Sequence, residues 1–342
     1  MKIIFMGTPD FAVGALDALV KAGHEVTAVV TQPDKPKGRG KEMQAPPVKE
    51  YALRHGIEVL QPVKIREPGA VKQLSSYDAD IYVVAAFGQI LTQEILDMPR
   101  FGSVNIHASL LPKYRGAAPI QRAILEGETV TGVTIQQMNA GIDTGEILSK
   151  VRVDISPEDT GDSLFEKLMR AGAKLIVETL PRIEAGEIRP ETQDETQATY
   201  AKRLSKELGE IDWSGTAQEI ERKIRAFTSW PGAYTTLFGK TLKVWSARIA
   251  DAETESMTFV ESMPSAESTL SMEGMPSAEG AGADRSGGRP GSVSAVTREE
   301  ITVNCGQGRL ALREVQLSGK KRMPVKDFLL GVKIKPGDTL GA

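Results

Sequence analysis

Cysteine is almost missing from this chain of 342 residues: Cys305 stands alone, so no disulfide can form within it. Histidine is nearly as scarce, and three of them cannot assemble a Cys/His zinc cluster. Organic acid/base chemistry without a metal is therefore expected. Long apolar runs are missing too. No stretch approaches about 18 unbroken apolar residues, and the opening Met1-Lys2-Ile3-Ile4-Phe5-Met6-Gly7 is too short for a signal h-region, so a cytoplasmic chain is expected. A dinucleotide fingerprint is lacking as well. Gly7-Thr8-Pro9-Asp10-Phe11 has neither the second nor the third glycine of Gly-x-Gly-x-x-Gly, and Pro9 removes a backbone donor, which leaves a structural strand-to-helix turn. Finally, there is no marked excess of either charge. The net charge is -3, yet residues 200–248 hold nine Lys/Arg against five Asp/Glu and residues 301–342 eight against three. Residues 251–300 between them hold ten acids against three bases. The two basic flanks suit a phosphate-bearing partner, although a solvated lysine-rich face would give the same count.

What is present is the composition of a globular protein, long enough for two domains. The first half alternates strand and helix signals. Residues 2–6, 25–30, 80–86, 103–107 and 132–138 read as strands, and Phe11 to Ala22 as a helix with Val13, Leu16, Leu19 and Val20 on one side. Leu164, Leu168, Ala171 and Leu175 mark another helix. Uninterrupted Val/Ile strands between helices imply an α/β fold with a mainly parallel sheet covered on both faces. We expect a first domain over 1–188, a polar linker over 189–206 and a second domain over 207–342. In the second domain Thr216 and Glu219 form a capping box before a helix, and short strands at 233–238, 241–249, 301–305 and 310–317 suggest a small antiparallel barrel. Residues 252–290 interrupt it with a Ser-, Gly- and Glu-rich segment that repeats Met-Pro-Ser-Ala-Glu at 263 and 275. Too little apolar surface lies there to offset its ordering entropy, so a mobile insertion is expected.

Chemistry concentrates at Val104-Asn105-Ile106-His107. Alternate strand residues share a face, so Val104 and Ile106 would face a core while Asn105 and His107 face a cleft. With Asp143 in Gly141-Ile142-Asp143-Thr144-Gly145, these residues could serve transfer of an acyl group between two nitrogens. Amide and imidazole N–H groups would stabilise the oxyanion, one such donor being worth about 3 to 4 kcal/mol. A carboxylate brought to the imidazole would favour its charged form and accept a proton. The plain alternative is a core histidine hydrogen-bonded to an asparagine. A serine-hydrolase triad through Ser109 is geometrically awkward, since Ser109 lies two residues from His107 without nucleophile-elbow glycines.

Asn105-Ile106-His107, Ser109-Leu110-Leu111-Pro112, Tyr114-Arg115-Gly116-Ala117-Ala118-Pro119-Ile120 and Gly141-Ile142-Asp143-Thr144-Gly145 together resemble the signature of the 10-formyltetrahydrofolate-dependent formyltransferases. The likeness extends to residues 6–11, to Gln193-Asp194-Glu195-Thr196 with Tyr200-Ala201, and to Ile211-Asp212-Trp213 with Ile224-Arg225-Ala226-Phe227. It leaves out only the insertion. The resemblance implies a doubly wound Rossmann-like first domain and an OB-like second domain, with Asn105, His107 and Asp143 as the catalytic trio. It also implies that Ser109, Leu110, Leu111 and Pro112 contact the folate, with Phe87, Gly88, Gly141 and Ile142 lining the same pocket. By the same resemblance 10-formyltetrahydrofolate is the formyl donor and no metal takes part. The trio also serves relatives that formylate glycinamide ribonucleotide or amino sugars, so the acceptor rests on other features. A second, basic domain and the loop Lys37-Gly38-Arg39-Gly40-Lys41 favour initiator methionyl-tRNA, with Lys37, Arg39, Lys41 and Lys206 as tRNA contacts. A free α-amino group, with a pKa of roughly 7.7 to 8.0, needs no strong base. No membrane contact is expected, and a monomer suffices.

Overall fold

The computed structural model describes residues 1–37, 42–250 and 288–341. The chain divides into two compact units, Met1–Ser205 and Lys206–Ala342. In the first unit the chain runs β1 (Lys2–Gly7), α1 (Asp10–Lys21), β2 (Glu25–Val30), a hairpin of β3 (Lys35–Lys37) and β4 (Glu42–Gln44), α2 (Pro47–Arg54) and β5 (Glu58–Leu60). It continues through α3 (Pro68–Ser75), β6 (Ile81–Ala85), α4 (Gln93–Leu96), β7 (Ser103–His107), β8 (Arg115–Gly116) and α5 (Pro119–Leu125). β9 (Val130–Gln137), β10 (Ile147–Asp154), α6 (Gly161–Glu184) and β11 (Tyr200–Ala201) complete it.

Seven of these strands form one sheet in the order β10-β9-β7-β6-β1-β2-β5. Strands β5, β2, β1, β6 and β7 pair in parallel. β9 runs antiparallel to both β7 and β10, so the run at 132–138, expected among parallel strands, is the reversed member of a mixed sheet. β9 follows β8 and α5 and enters beside β7 reversed, and the turn into β10 then sets that last strand parallel to β7 again. β1 and β6 are buried almost throughout, as their unbroken apolar sequences require.

Helix α1 buries Phe11, Ala12, Ala15, Leu16 and Leu19. Val13 and Val20, expected on that face, are only partly covered. The buried stripe follows Phe11, whose ring meets Phe165 of α6 edge-on with centroids 5.6 Å apart. α6 begins at a capping box in which Thr160 Oγ1 accepts from Ser163 N and Ser163 Oγ accepts from Thr160 N. It buries Leu164, Leu168, Gly172, Leu175 and Ile176, with Ala171 only partly covered. Residues 189–201 do not hang free, since Tyr200–Ala201 pairs in parallel with Arg115–Gly116.

The second unit holds α7 (Ala217–Ala226), β12 (Ala233–Leu237), β13 (Lys240–Ile249), β14 (Val293–Val296), β15 (Ile301–Asn304), β16 (Arg309–Leu317), β17 (Met323–Pro324) and α8 (Val325–Gly331). α7 starts at the expected box: Thr216 Oγ1 accepts from Glu219 N at 3.1 Å, and Glu219 Oε2 accepts from Thr216 N at 2.8 Å. The strands pair antiparallel in the order β12-β13-β16-β15-β14. The tail bonds to both edges of this sheet, with Leu340 bridged to Leu237 and Thr339 to Ser292, so the sheet closes on itself. Trp213, Ile220, Ile224, Leu242, Leu310, Leu312 and Phe328 fill its interior. The expected mobile insertion lies, apart from its last three residues, outside the described residues. Among the described residues no helix is long and apolar enough to cross a membrane.

Gly172 is where the helix layer presses hardest on the strand that ends in His107. A Cβ there would stand 2.9 Å from Ile106 Cγ2 and 3.4 Å from Val133 Cγ1. Gly172→Ala would gain about 1 kcal/mol of helix propensity, but overpacking a core typically costs about 1–3 kcal/mol. The expected outcome in urea unfolding is a net loss of stability. A stabilised variant would show that α6 and β7 are less tightly packed than described.

Candidate active site

His107 ends β7, and Asn105 stands two residues before it on the same face. The antiparallel register sets Gln136 of β9 opposite Asn105 and Thr134 opposite His107. Four polar side chains thus share one face of the β7–β9 pair, while Val104, Ile106, Val133 and Ile135 are buried on the other. Thr134 shapes the loop after β7, because its hydroxyl donates to Ser109 O at 2.7 Å and accepts from Leu111 N at 3.1 Å.

Asp143 arrives by a longer route. Met138 N donates to Ser103 O at 2.8 Å, so β9 runs out level with the start of β7 and the connection to β10 folds back across the sheet face. A Cβ at Gly145 would collide with Gln137 O, so the return path needs glycine there. Asp143 itself has φ 52°, in the left-handed region that residues with a Cβ seldom occupy. Gln193 holds this turn: its Nε2 donates to Asp143 O at 2.9 Å and to Gly145 O at 2.7 Å. Its Oε1 accepts from Arg115 Nε at 3.0 Å and Nη2 at 2.8 Å. Arg115 is fully buried and forks onto Glu195, with Nη1 and Nη2 donating at 2.8 and 2.7 Å. That guanidinium holds the Glu195 carboxyl below the ordinary carboxylate range.

The carboxylate is a common acceptor for the site. Asp143 Oδ1 accepts from Gln136 Nε2 at 2.8 Å and from Asn105 Nδ2 at 3.3 Å, and Oδ2 accepts from Gly116 N at 2.8 Å. His107 Nδ1 lies 3.6 Å from Oδ1, beyond hydrogen-bond reach and well within Coulomb range. On the far side of the ring Nε2 is 3.0 Å from Tyr114 O, which can only accept, so Nε2 carries the hydrogen and Nδ1 is the working nitrogen. Tyr114 also has a positive φ, 61°, and this turn aims its carbonyl at the imidazole. Asn105, His107 and Asp143 are therefore brought together, with an amide N–H, a ring nitrogen and a carboxylate around one point. Such a set can steady an oxyanion and accept a proton.

The expected folate contacts fall into two groups. Ser109 is fully buried and its hydroxyl donates to Lys113 O at 2.6 Å, so this side chain shapes the loop. Phe87 and Leu111 are buried, and Leu110 lies against Gly132, where any Cβ would strike it. Pro112 is partly covered and its carbonyl accepts from Thr199 N at 3.3 Å. Gly88, Gly141 and Ile142 are exposed, Ile142 by 63%. That is a large apolar side chain left open beside Asp143. Of the expected tRNA contacts, Lys37 lies in β3, whereas Arg39 and Lys41 fall outside the described residues. Lys206 is exposed in the second unit, at a hollow of about 380 Å³ lined also by Tyr234, Thr241, Lys243, Gln316 and Ser318.

Sequence reasoning missed two side chains here. Gln136 could have been found from strand alternation, being two residues from Thr134 on the polar face of β9. Gln193 belongs to a run that carries the family resemblance, but no role could be read for it, because it sits in a polar stretch without periodicity. Cys305 is no hidden nucleophile, since burial pushes its thiol up to about 12.

Residues 1–180 match the family model described as formyl transferase, and residues 203–333 the model described as formyl transferase, C-terminal domain. The chain is 50% identical over 337 residues to the methionyl-tRNA formyltransferase of Agathobacter rectalis, spanning 98% of each. It is 45% identical over 341 residues to the Bacillus subtilis protein of the same name, spanning 99% of this chain and 98% of that one. Among solved structures, WlaRD, a sugar 3N-formyl transferase studied with dTDP and 5-N-formyl-tetrahydrofolate, superposes with a TM-score of 0.62 at 19% identity, over 94% of this chain and 99% of its own. HypX from Aquifex aeolicus in complex with tetrahydrofolic acid gives 0.60 at 18% identity, over 98% and 49%. These two are likenesses of fold.

If Gln193 clamps the turn, Gln193→Ala removes two hydrogen bonds worth about 1 kcal/mol each. Amide exchange at residues 143–146 is expected to quicken by about ten-fold or more while the rest of the sheet keeps its protection. Unchanged exchange in that turn would contradict the clamp. Cys305 should react with a thiol reagent at pH 8 only once denaturant opens the second unit, and fast labelling of the native chain would contradict its burial.

Proposed function

The chain belongs to the formyl transferase family, and from that premise we propose how its residues carry out the reaction. It formylates the amino group of methionyl-tRNA, as its full-length relatives are named for doing. We infer that 10-formyltetrahydrofolate is the donor and that Asn105, His107 and Asp143 act on the transferred group. The observation that carries this reading is the convergence of Asn105 Nδ2 and His107 Nδ1 on Asp143 Oδ1, at 3.3 and 3.6 Å, on a face also furnished by Gln136 and Thr134.

The donor supplies a formyl group on nitrogen. Attack by the methionyl amine moves charge onto the formyl oxygen, and the Asn105 amide is positioned to donate to it. His107 Nδ1 accepts the proton that the amine gives up and then, as an N–H facing the Asp143 carboxylate, is the second donor. The proton leaving the amine passes to the His107–Asp143 pair and from there to the departing nitrogen of the donor, so the enzyme ends in the state in which it began. An appreciable fraction of the α-amino group is already uncharged near neutral pH, and the residues serve chiefly to orient and to stabilise charge.

The exposed Ile142 beside Asp143 gives a flat heteroaromatic ring an apolar surface, Gly88 leaves room for close approach of backbone to ligand, and Gly141 lets Thr144 fold against the loop that lines the pocket. Lys37, Arg39 and Lys41 in the first unit and Lys206 in the second supply phosphate contacts for the tRNA. The reaction belongs to the cytoplasm, where charged tRNA is made and used, and a monomer suffices for it.

Formyl transfer is measured with labelled donor and three acceptors: initiator methionyl-tRNA, elongator methionyl-tRNA and an amino-sugar nucleotide. We expect product with the first acceptor above all. Asn105→Ala and His107→Ala should each lower kcat by about 10²–10³-fold with unfolding midpoints little changed. Near-normal turnover in either variant would remove the mechanism. Arg39→Ala should raise KM for tRNA and leave KM for the donor alone, whereas a defect confined to the donor would contradict its assignment.

A further inference from the structure

We propose that Gln136 is a positioning residue for the reaction, fixing the Asp143 side chain and aiming its Oδ1 at His107 Nδ1. The inference rests on the formyl-transfer reading above and goes beyond the trio. Gln136 lies on β9 between Asn105 of β7 and Ile147 of β10 and is 2% exposed. Its Nε2 donates to Asp143 Oδ1 at 2.8 Å, a shorter contact than either trio partner makes with that oxygen. Its own Oε1 is buried with no hydrogen-bond partner among the described residues.

That orphaned acceptor is the telling feature. A buried unpaired carbonyl oxygen is unfavourable, and methionine would fill the same space without one. A side chain serving packing alone would therefore be apolar. Turning the amide over would not relieve it either, because Oε1 would then face the carboxylate oxygen. The amide orientation follows from the charge on Asp143, and the Nε2–H in turn favours that charge. The backbone amide of Gly116 does the same for Oδ2. Of the titratable groups nearby, His107 on β7 faces Asp143, and Arg115 on β8 reaches its turn only through Gln193 while pairing with Glu195. Arg115 is engaged by Gln193 and Glu195, which leaves Gln136 and Gly116, each at 2.8 Å, and Asn105 at 3.3 Å as the donors that set the carboxylate against His107.

The test compares Gln136→Met and Gln136→Glu in the full chain, with kcat and KM measured for donor and methionyl-tRNA across pH. Gln136→Met keeps the volume and removes the donor. It is expected to lose about ten-fold in kcat with both KM values unchanged, and the acid limb of its kcat/KM profile should move to higher pH. Gln136→Glu regains a donor only when protonated, and a second carboxyl beside Asp143 holds its proton toward neutral pH. The activity of Gln136→Glu relative to Gln136→Met should therefore rise as pH falls. Wild-type kcat and profile in Gln136→Met, or a constant ratio between the variants at every pH, would overturn the role. Full turnover in Asp143→Asn would overturn it as well, whereas a wild-type chain that formylates no amine would instead sink the formyl-transfer reading itself.

Discussion

Asp143 accepts from Gln136, Asn105 and the Gly116 amide while facing His107, and the fold around it exists to deliver that carboxylate across a sheet face it does not belong to. The delivery needs a left-handed turn at Asp143 itself, a glycine at 145 and an outside clamp at Gln193. Two backbone acceptors, Asp143 O and Gly145 O, are tied to one amide. That amide is fixed by a buried guanidinium, which is fixed by Glu195. Each contact alone is modest, but together they place one oxygen within about half an ångström of where an imidazole can use it, a tolerance on which catalytic geometry depends.

His107 is constrained from the opposite side. Tyr114 O takes the Nε2 hydrogen, so the ring presents Nδ1 to Asp143. The two halves of the site are joined through β8 and β11, where Arg115–Gly116 pairs with Tyr200–Ala201. A Cβ at Gly116 would stand 2.7 Å from Ala201 O, so the glycine allows the strands to close and leaves its own amide for Asp143. The segment after α6 thus helps to hold the loop that carries Asp143.

Much of this was legible in the sequence, and the failures have physical causes. β2 and β7 were readable to the residue, because apolar strands with polar ends leave little freedom. The capping box at Thr216 and Glu219 was readable because its two hydrogen bonds are local. The reversal of β9 was not, since an apolar run looks the same in either direction. β14 and β17 were missed, the first because it follows a Ser- and Gly-rich stretch and the second because two residues carry no period. In the site, Asn105, His107 and Asp143 stood out by type and motif. Gln193 lay hidden in a polar stretch, because its role depends on a contact fifty residues away in sequence.

The central claim is that the Asp143 carboxylate, held against His107, governs formyl transfer to methionyl-tRNA. It is tested most directly by the single-turnover rate of transfer from labelled 10-formyltetrahydrofolate to initiator methionyl-tRNA, for wild type and for Asp143→Asn. Both would be taken at saturating substrates, so that binding is set aside. The account predicts a fall of about 10²–10³-fold in the chemical rate with the tRNA still bound. An Asp143→Asn enzyme that transfers the formyl group at the wild-type rate would contradict it.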